Sequence, residues 1–396
     1  MLHFGIDTLL AHHLASLVGR RVGLVTNDAA TTAVLPQPLT PVRLALQQAG
    51  VQLVALFAPE HGLGVAAADG AQVDHTVDPL TDLPVYSLYG EGYRPTAEML
   101  RDLDLLLFDI PDIDARFYTY IWTLSYLLEA CAEQQLPLWV LDRPNPLGGD
   151  LSQAEGPILD EGQTASFVGR WSLPVRHSLT AGELATLWNG ERGLNVALTV
   201  LPVQGWVRRQ PWPATGLPFV PTSPAMPNFE TVQLYPGTCL FEGANLSEGR
   251  GTTTPFCLIG APWLESSEVV AAFHAFALPG VRARSVQFTP LAGKYHGELC
   301  QGIMLHVLDA AAFRPVATAL HLLLAISRRH PGQFRWLEDP AGAGEPAVGH
   351  FDRLVGVLAV RPRLAGLGAE ASAQITRWTA APGWAERVRP YLLYPG

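Results

Sequence analysis

Lysine is nearly absent from this sequence. Lys294 is its only lysine among 26 basic residues, the others being arginine, a bias we read as codon usage and not as a polyphosphate-binding surface. Charge of either sign is sparse at 16%, and acidic residues outnumber basic ones 36 to 26, for a net charge of −10. A nucleic-acid backbone, itself a dense polyanion, is therefore not expected as a partner. Cysteine is scarce too. Cys131, Cys239, Cys257 and Cys300 show no CxxC spacing, so neither a metal knuckle nor a disulfide framework is expected. No run of about 18 uncharged apolar residues occurs, so no membrane span is expected. The opening segment, MLHFGIDTLLAHHLASLVGRRVGLV, lacks a basic n-region and a continuous apolar stretch. No signal peptide is visible in it, and the expected location is the cytoplasm, or outside it if a leader has been trimmed. P-loop, nucleophile-elbow and HExxH patterns are missing as well.

What is present is apolar sequence, 48% of the chain, enough to offset the ordering entropy that keeps polar chains disordered. The 37 glycines and 33 prolines follow no period, which excludes a fibrous protein. A length of 396 residues suggests two domains. In the first half, apolar runs alternate with helical patterns: strands are predicted at Arg21–Asn27, Val51–Phe57, Asp104–Ile110 and in PLWVLDRPNP, and helices in PVRLALQQAG, TAEMLRDL and YTYIWTLSYLLEACAEQQ. Strands that are apolar without alternation belong to a parallel sheet covered on both faces, so the fold class is α/β. Ligands bind such sheets at the carboxyl ends of the strands. The polar residues there are Asn27, Glu60, His61, Asp109, Asp142, Arg143 and Asn145, and they are expected to face one common crevice. Leu201–Ser223, rich in Pro and Trp, reads as a surface excursion. A composition shift at Gly249–Pro255 divides a first domain, 1–250, from a smaller α+β domain, 251–396, with strands in VRARSVQF and CQGIMLHVLD. Glu338–Gly349 is expected to be a mobile loop.

Three segments could carry chemistry. Glu60-His61, between Pro59 and Gly62, is either a fixed catalytic loop or one whose glutamate caps a helix or pairs with an arginine. Glu129 is the only charged residue of Ile121–Ala132. Burial would raise its pKa to suit a general acid; equally, it could be bonded to a buried arginine such as Arg116. Asp109–Tyr120 gathers three aspartates, one arginine and three aromatic rings, which suits sugar recognition or a satisfied aromatic core. A dinucleotide fingerprint can be forced onto Gly62-Leu-Gly64, but Gly70 and Gln72 cut short the helix it should open.

Six blocks together resemble the NamZ-like exo-β-N-acetylmuramidases: APEHG (58–62), LPVYSLYG (83–90), FDI-x-D-x-x-ARFYTY (108–120), LDRPNPLGG (141–149), EGP (155–157) and YPGTCLFEGANLSEGRGTT (235–253). The resemblance runs over almost the whole chain. It implies a Rossmann-like catalytic domain with a smaller auxiliary domain, and a glycoside hydrolase that releases N-acetylmuramic acid (MurNAc) from the non-reducing end of peptidoglycan fragments. No metal or nucleotide cofactor is expected. The rival readings are a non-catalytic muropeptide-binding protein and a nicotinamide dehydrogenase. Two departures stand out. Leu63–Asp69 replaces the family's Arg-Gly-Asp-like stretch after PEHG, and Asp109-Ile-Pro-Asp-Ile-Asp114 replaces Asp-Ile-Gln-Asp-Val-Gly.

Glycoside hydrolysis usually needs two carboxyl groups. Glu60 is the first choice and Glu129 the second, with Glu155 and Glu242 in reserve. His61, Asp109, Arg116, Asn145, Asn245 and Arg250 would hold hydroxyls, the acetamido group or the lactyl carboxylate of MurNAc. For that carboxylate a bidentate arginine is needed. Arg116, set among Phe117, Tyr118 and Tyr120, is the preferred reader, and Arg250 the alternative.

Overall fold

A computed structural model describes residues 2–90, 92–338 and 348–396. Most of the segment expected to be a mobile loop, residues 339–347, lies outside the described residues. The chain opens with α1 (Gly5–His12) and β1 (Val22–Thr26), followed by α2 (Val42–Gln48) and β2 (Leu53–Ala58). Next come β3 (Thr76–Val77), β4 (Pro84–Ser87), α3 (Ala97–Leu100), β5 (Leu105–Asp109), α4 (Tyr120–Gln134) and β6 (Leu138–Leu141). A one-turn α5 (Glu161–Thr164) and α6 (Ala181–Glu191) lead to β7 (Leu198–Leu201).

These seven strands form one sheet in the order β3-β4-β2-β1-β5-β6-β7, parallel except for the β3–β4 pair. The predicted apolar runs are its central strands. Pleating sends alternate residues of β5 to opposite faces: Leu105 and Leu107 join the core beneath α1 and α2, while Leu106 and Phe108 join the core beneath α4 and α6. Both sets are fully apolar, which is why the run showed no alternation. On the α4 face, Trp122 stacks on Trp188 of α6 at 5.4 Å. The chain runs from β1 outward to β2 and β4, then returns to place β5 on the other side of β1. A crevice opens at such a reversal.

The second unit comprises α7 (Phe229–Thr238), β8 (Leu258–Ala261), α8 (Ser266–His274), β9 (Val281–Phe288), β10 (Cys300–Val307) and α9 (Pro315–Arg329). It ends in α10 (His350–Val355), α11 (Arg361–Leu364), α12 (Ala371–Thr379) and α13 (Trp384–Val388). Its sheet, β8-β10-β9, is antiparallel, and β9 alternates buried and exposed residues over its first half, as a half-covered strand should. The α4-side core continues without a break through α7 and α9 into β10, so the two units share it. Among the described residues, no helix is long and apolar enough to cross a membrane.

Polar clasps reinforce the junction. Glu155 accepts the Val316 and Ala317 N–H groups at the start of α9, at 3.2 and 3.0 Å. The C-terminal tail returns to the first unit, where the Tyr394 hydroxyl donates to Asp142, which also accepts from Thr180 and Gly182. Burial raises the Glu155 carboxyl to about 7 despite those two N–H donors. The folded state therefore holds this proton more tightly than the unfolded state, whose value lies near 4.5. Stability from this group is full below that value and is lost as pH rises toward 7. Urea unfolding should show the protein losing stability across that interval. In Glu155→Gln the loss should be smaller, and an unchanged slope would show that Glu155 does not titrate there.

Candidate active site

Pro59 ends β2, and the chain then reverses through two successive left-handed residues, His61 (φ 69°) and Gly62 (φ 73°). Such a conformation is costly for a histidine and marks a loop whose shape is imposed by its surroundings. Thr119 Oγ1 donates to Glu60 Oε2 at 2.6 Å, and the Gly70 N–H donates to Oε1 at 3.1 Å. The Tyr89 hydroxyl also reaches Glu60; burial first, then that carboxylate, raises its pKa. His61 Nδ1 lies 2.9 Å from the Ala67 carbonyl, which makes Nδ1 the donor. No helix follows Gly64, so the forced dinucleotide fingerprint is a run of turns.

A second loop closes over the first. Arg250 sits between Gly249 (φ 80°) and Gly251 (φ 76°), and a Cβ on Gly251 would fall 2.2 Å from the Ala292 nitrogen. Glycine on both sides is what lets the backbone project this arginine inward. Its guanidinium meets Glu242 at 2.7 Å, and Asp69 and Glu248 at 3.4 Å, and it lies over the Phe256 ring. His350 of α10 approaches Glu242 from the other side at 3.4 Å. Burial is the largest influence on Glu242 and favours its neutral form, but the charges and hydrogen bonds of Arg250 and His350 together outweigh it, so the pKa falls below the usual range. Asp69 moves the other way. Desolvation raises it most, and Glu242 and Glu60 add to the rise against the opposing charge of Arg250, although half of its side chain is open to solvent. The single lysine, Lys294, ties the loop down: its ammonium donates to the carbonyls of Phe241, Glu242 and Ala244 and pairs with Glu248 at 3.1 Å.

The resulting crevice has a volume of about 220 Å³. Its floor is aromatic, with Phe117, Tyr118, Tyr235 and Phe256 buried, and its walls carry Glu60, His61, Asp69, Glu242, Arg250 and His350. Among the described residues, Glu60, His61 and Asp69 are the group that could share a cation, their ligand atoms lying within 4.8 Å of one another.

Residues 22–230 match the family model described as exo-β-N-acetylmuramidase NamZ, N-terminal, and residues 233–394 match its C-terminal counterpart. The chain belongs to the NamZ family. It is 44% identical over 352 residues to the peptidoglycan β-N-acetylmuramidase NamZ of Bacillus subtilis (strain 168), spanning 89% of this chain and 81% of that one. Crystal structures of two DUF1343 family proteins from Bacteroides fragilis NCTC 9343 have the same fold. One superposes with a TM-score of 0.85 at 31% identity over 99% of both chains, the other at 0.75 and 28% over 100% of this chain and 99% of that one.

This NamZ-family crevice brings together Glu60, His61, Glu242 and Arg250 of the residues expected from the sequence. It also contains Asp69, Tyr89 and His350, which sequence reasoning missed. Asp69 falls in the stretch that departs from the family, Tyr89 lies in the LPVYSLYG block but was not singled out within it, and no local signal marked His350. The remaining expected residues lie elsewhere. Glu129 is clamped by Arg170 Nη2 at 2.7 and 2.6 Å, outside the crevice lining. Asp109 is fully buried and bound to Arg143, and burial raises its pKa. Asn145 holds its own loop through Leu147 and Leu179, Glu155 caps α9, and Asn245 joins its loop to residues 333–335. The single crevice expected at the strand ends is thus divided. Arg143 lines a separate apolar recess with Phe4, Pro144, Trp212 and Phe219, while Asn27 and Asp142 are buried.

Arg116 needs the largest correction. It is 0% exposed, and its guanidinium donates to the carbonyls of Pro157, Leu173 and Leu354 at 2.7–2.8 Å. Those bonds tie the first unit to α10 and leave no face for a substrate. Replacing it with alanine strands three buried carbonyls, at about 1–3 kcal/mol each. Arg116→Ala should therefore lower stability by roughly 3 kcal/mol or more in urea unfolding. A loss below about 1 kcal/mol would mean that the carbonyls find other partners.

Proposed function

We propose that this protein hydrolyses the β-linkage of a terminal N-acetylmuramoyl residue at the non-reducing end of peptidoglycan-derived oligosaccharides, in the crevice around Glu60. The observation that carries the reading is the pairing of Glu60 and Asp69, with ligand atoms within 4.8 Å, over an aromatic floor in a NamZ-family chain. Two carboxyl groups with different protonation preferences are what glycoside cleavage requires. Glu60 is oriented by Thr119 and Gly70 as a hydrogen-bond acceptor, the state of a nucleophile or base. Asp69, with its raised pKa, is the proton donor to the leaving oxygen. So short a spacing leaves little room for an interposed water, so the reaction is assigned retention of configuration.

Arg250 is the arginine that can meet the lactyl carboxylate, since Arg116 is enclosed. The contact it would give up most easily is the 3.4 Å one to half-exposed Asp69. An incoming carboxylate that drew Arg250 away would leave Asp69 beside Glu60 and Glu242 without its cation, which favours the protonated acid. The substrate's own charge would then help to arm the donor.

A MurNAc–GlcNAc disaccharide (GlcNAc, N-acetylglucosamine) or a chromogenic MurNAc glycoside should yield free MurNAc, first as the β-anomer in NMR. EDTA should leave the rate unchanged. Glu60→Gln should lower kcat about a thousandfold without altering the unfolding curve. Activity should fall as pH rises through the Asp69 pKa, and Asp69→Asn should abolish that limb. Absence of turnover on both substrates would sink the assignment, and calorimetric binding without product would select a muropeptide-binding role. Arg250→Ala should lose the preference for MurNAc over GlcNAc glycosides, and a retained preference would move the carboxylate contact elsewhere.

A further inference from the structure

An aromatic ledge leaves the crevice on its open side. It begins at Tyr89, beside Glu60, and Phe167, both of which line the crevice. Tyr89 lies 5.5 Å from Phe167 and 5.6 Å from Tyr93. Tyr93 stacks on Phe167 at 4.0 Å with 16° between planes, and Tyr126 of α4 lies 6.2 and 6.4 Å from them, tilted by 26° and 22°. Three rings thus share nearly one orientation. The far end is closed by Arg170, 3.9 Å above the Tyr126 ring and 4.6 Å from that of Trp171. Glu129 and Ser125 hold the guanidinium there. This gives the one charged residue of the apolar α4 stretch a purpose: it positions Arg170.

Tyr93 is 40% exposed, whereas Tyr235, Cys239 and Phe256 at the other end of the crevice are buried. The crevice is therefore blind at one end and opens onto aromatic surface at the other. We propose that this ledge is the leaving-group subsite, where the GlcNAc next to the cleaved bond and the sugars beyond it pack on the exposed face of Tyr93, which Phe167 backs from its other side. The inference rests on the muramidase reading. An enzyme acting at a non-reducing end must place one sugar in the blind end and the rest of the glycan outside it. Pyranose rings present flat C–H faces to aromatic rings, and Arg170 offers donors to hydroxyls.

The test compares methyl β-MurNAc, whose leaving group is a single methoxy group too small to reach the ledge, with the tetrasaccharide MurNAc–GlcNAc–MurNAc–GlcNAc, release of MurNAc being followed for both. Tyr93→Ala should raise KM for the tetrasaccharide roughly tenfold, the loss of about one stacking contact, while kcat/KM for methyl β-MurNAc stays within about twofold. Tyr93→Phe, which keeps the ring, should behave as wild type. Glu129→Gln, which loosens Arg170, should show the same split in smaller measure. Equal effects on both substrates, or none on either, would overturn the ledge assignment. So would an orders-of-magnitude fall in kcat on methyl β-MurNAc for Glu129→Gln, because Glu129 would then act in the reaction itself. If the wild type turned over neither substrate, the hydrolase reading would fail. Calorimetry with the tetrasaccharide would then decide the ledge alone, tenfold weaker binding by Tyr93→Ala supporting it and unchanged binding overturning it.

Discussion

Four carboxylates, Glu60, Asp69, Glu242 and Glu248, converge on one recess of a protein that is already negatively charged, and they can do so because Arg250 and Lys294 stand among them. Like charges at such distances repel, and the low dielectric of a buried site enlarges the cost. Arg250 divides its charge among three of them, while Lys294 neutralises Glu248 and fastens the loop that carries Glu242. The loop's backbone obeys the same demand. Glycine on each side of Arg250 gives the chain two left-handed steps, which point the guanidinium inward instead of toward solvent.

The parallel sheet and the antiparallel unit can face each other across this recess because they share an apolar core. Phe117 and Tyr118, from the loop after β5, pack on Tyr235 of α7, and Tyr235 packs on Phe256. The aromatic floor of the crevice is thus also the seam between the units. Buried polar side chains keep the seam in register: Arg116 bonds carbonyls from three distant segments, and Glu155 caps α9 from across the junction. These are large polar groups taken from water, tolerable only because nearly every strong donor and acceptor in them is used. Occupied in this way, they are unavailable to a substrate.

The pairing of Glu129 illustrates how far local reasoning reaches. A glutamate alone in an apolar stretch of helix, Ile121–Ala132, has to find a cation or a proton, and the sequence showed that need. The partner is Arg170, brought to α4 by the segment between α5 and α6, and not Arg116, which lies nearer along the chain. Nothing in spacing distinguishes two arginines that reach the same helix by different routes. Asp109 and Asp142 teach the same lesson at the strand ends. Both stand where a ligand would be met, but one is answered by Arg143 and the other by the tail residue Tyr394.

The sequence by itself determined the four central strands of the parallel sheet, β1, β2, β5 and β6, because burial on both faces demands unbroken apolar runs that the partly exposed edge strands lack. It also determined the family and the loops bearing Glu60, His61, Glu242 and Arg250, because sharp turns leave a signature of proline and glycine beside the residues they present. Tertiary structure alone decided which acids and arginines share a space. Asp69, Tyr89 and His350 come to Glu60 and Glu242 from three separate segments, while Arg116, Glu155 and Asn145 are turned into the junction. A carboxylate or guanidinium has the same chemistry in a clasp as in a crevice, and its role depends on whether the packed chain leaves it a face open to the ligand.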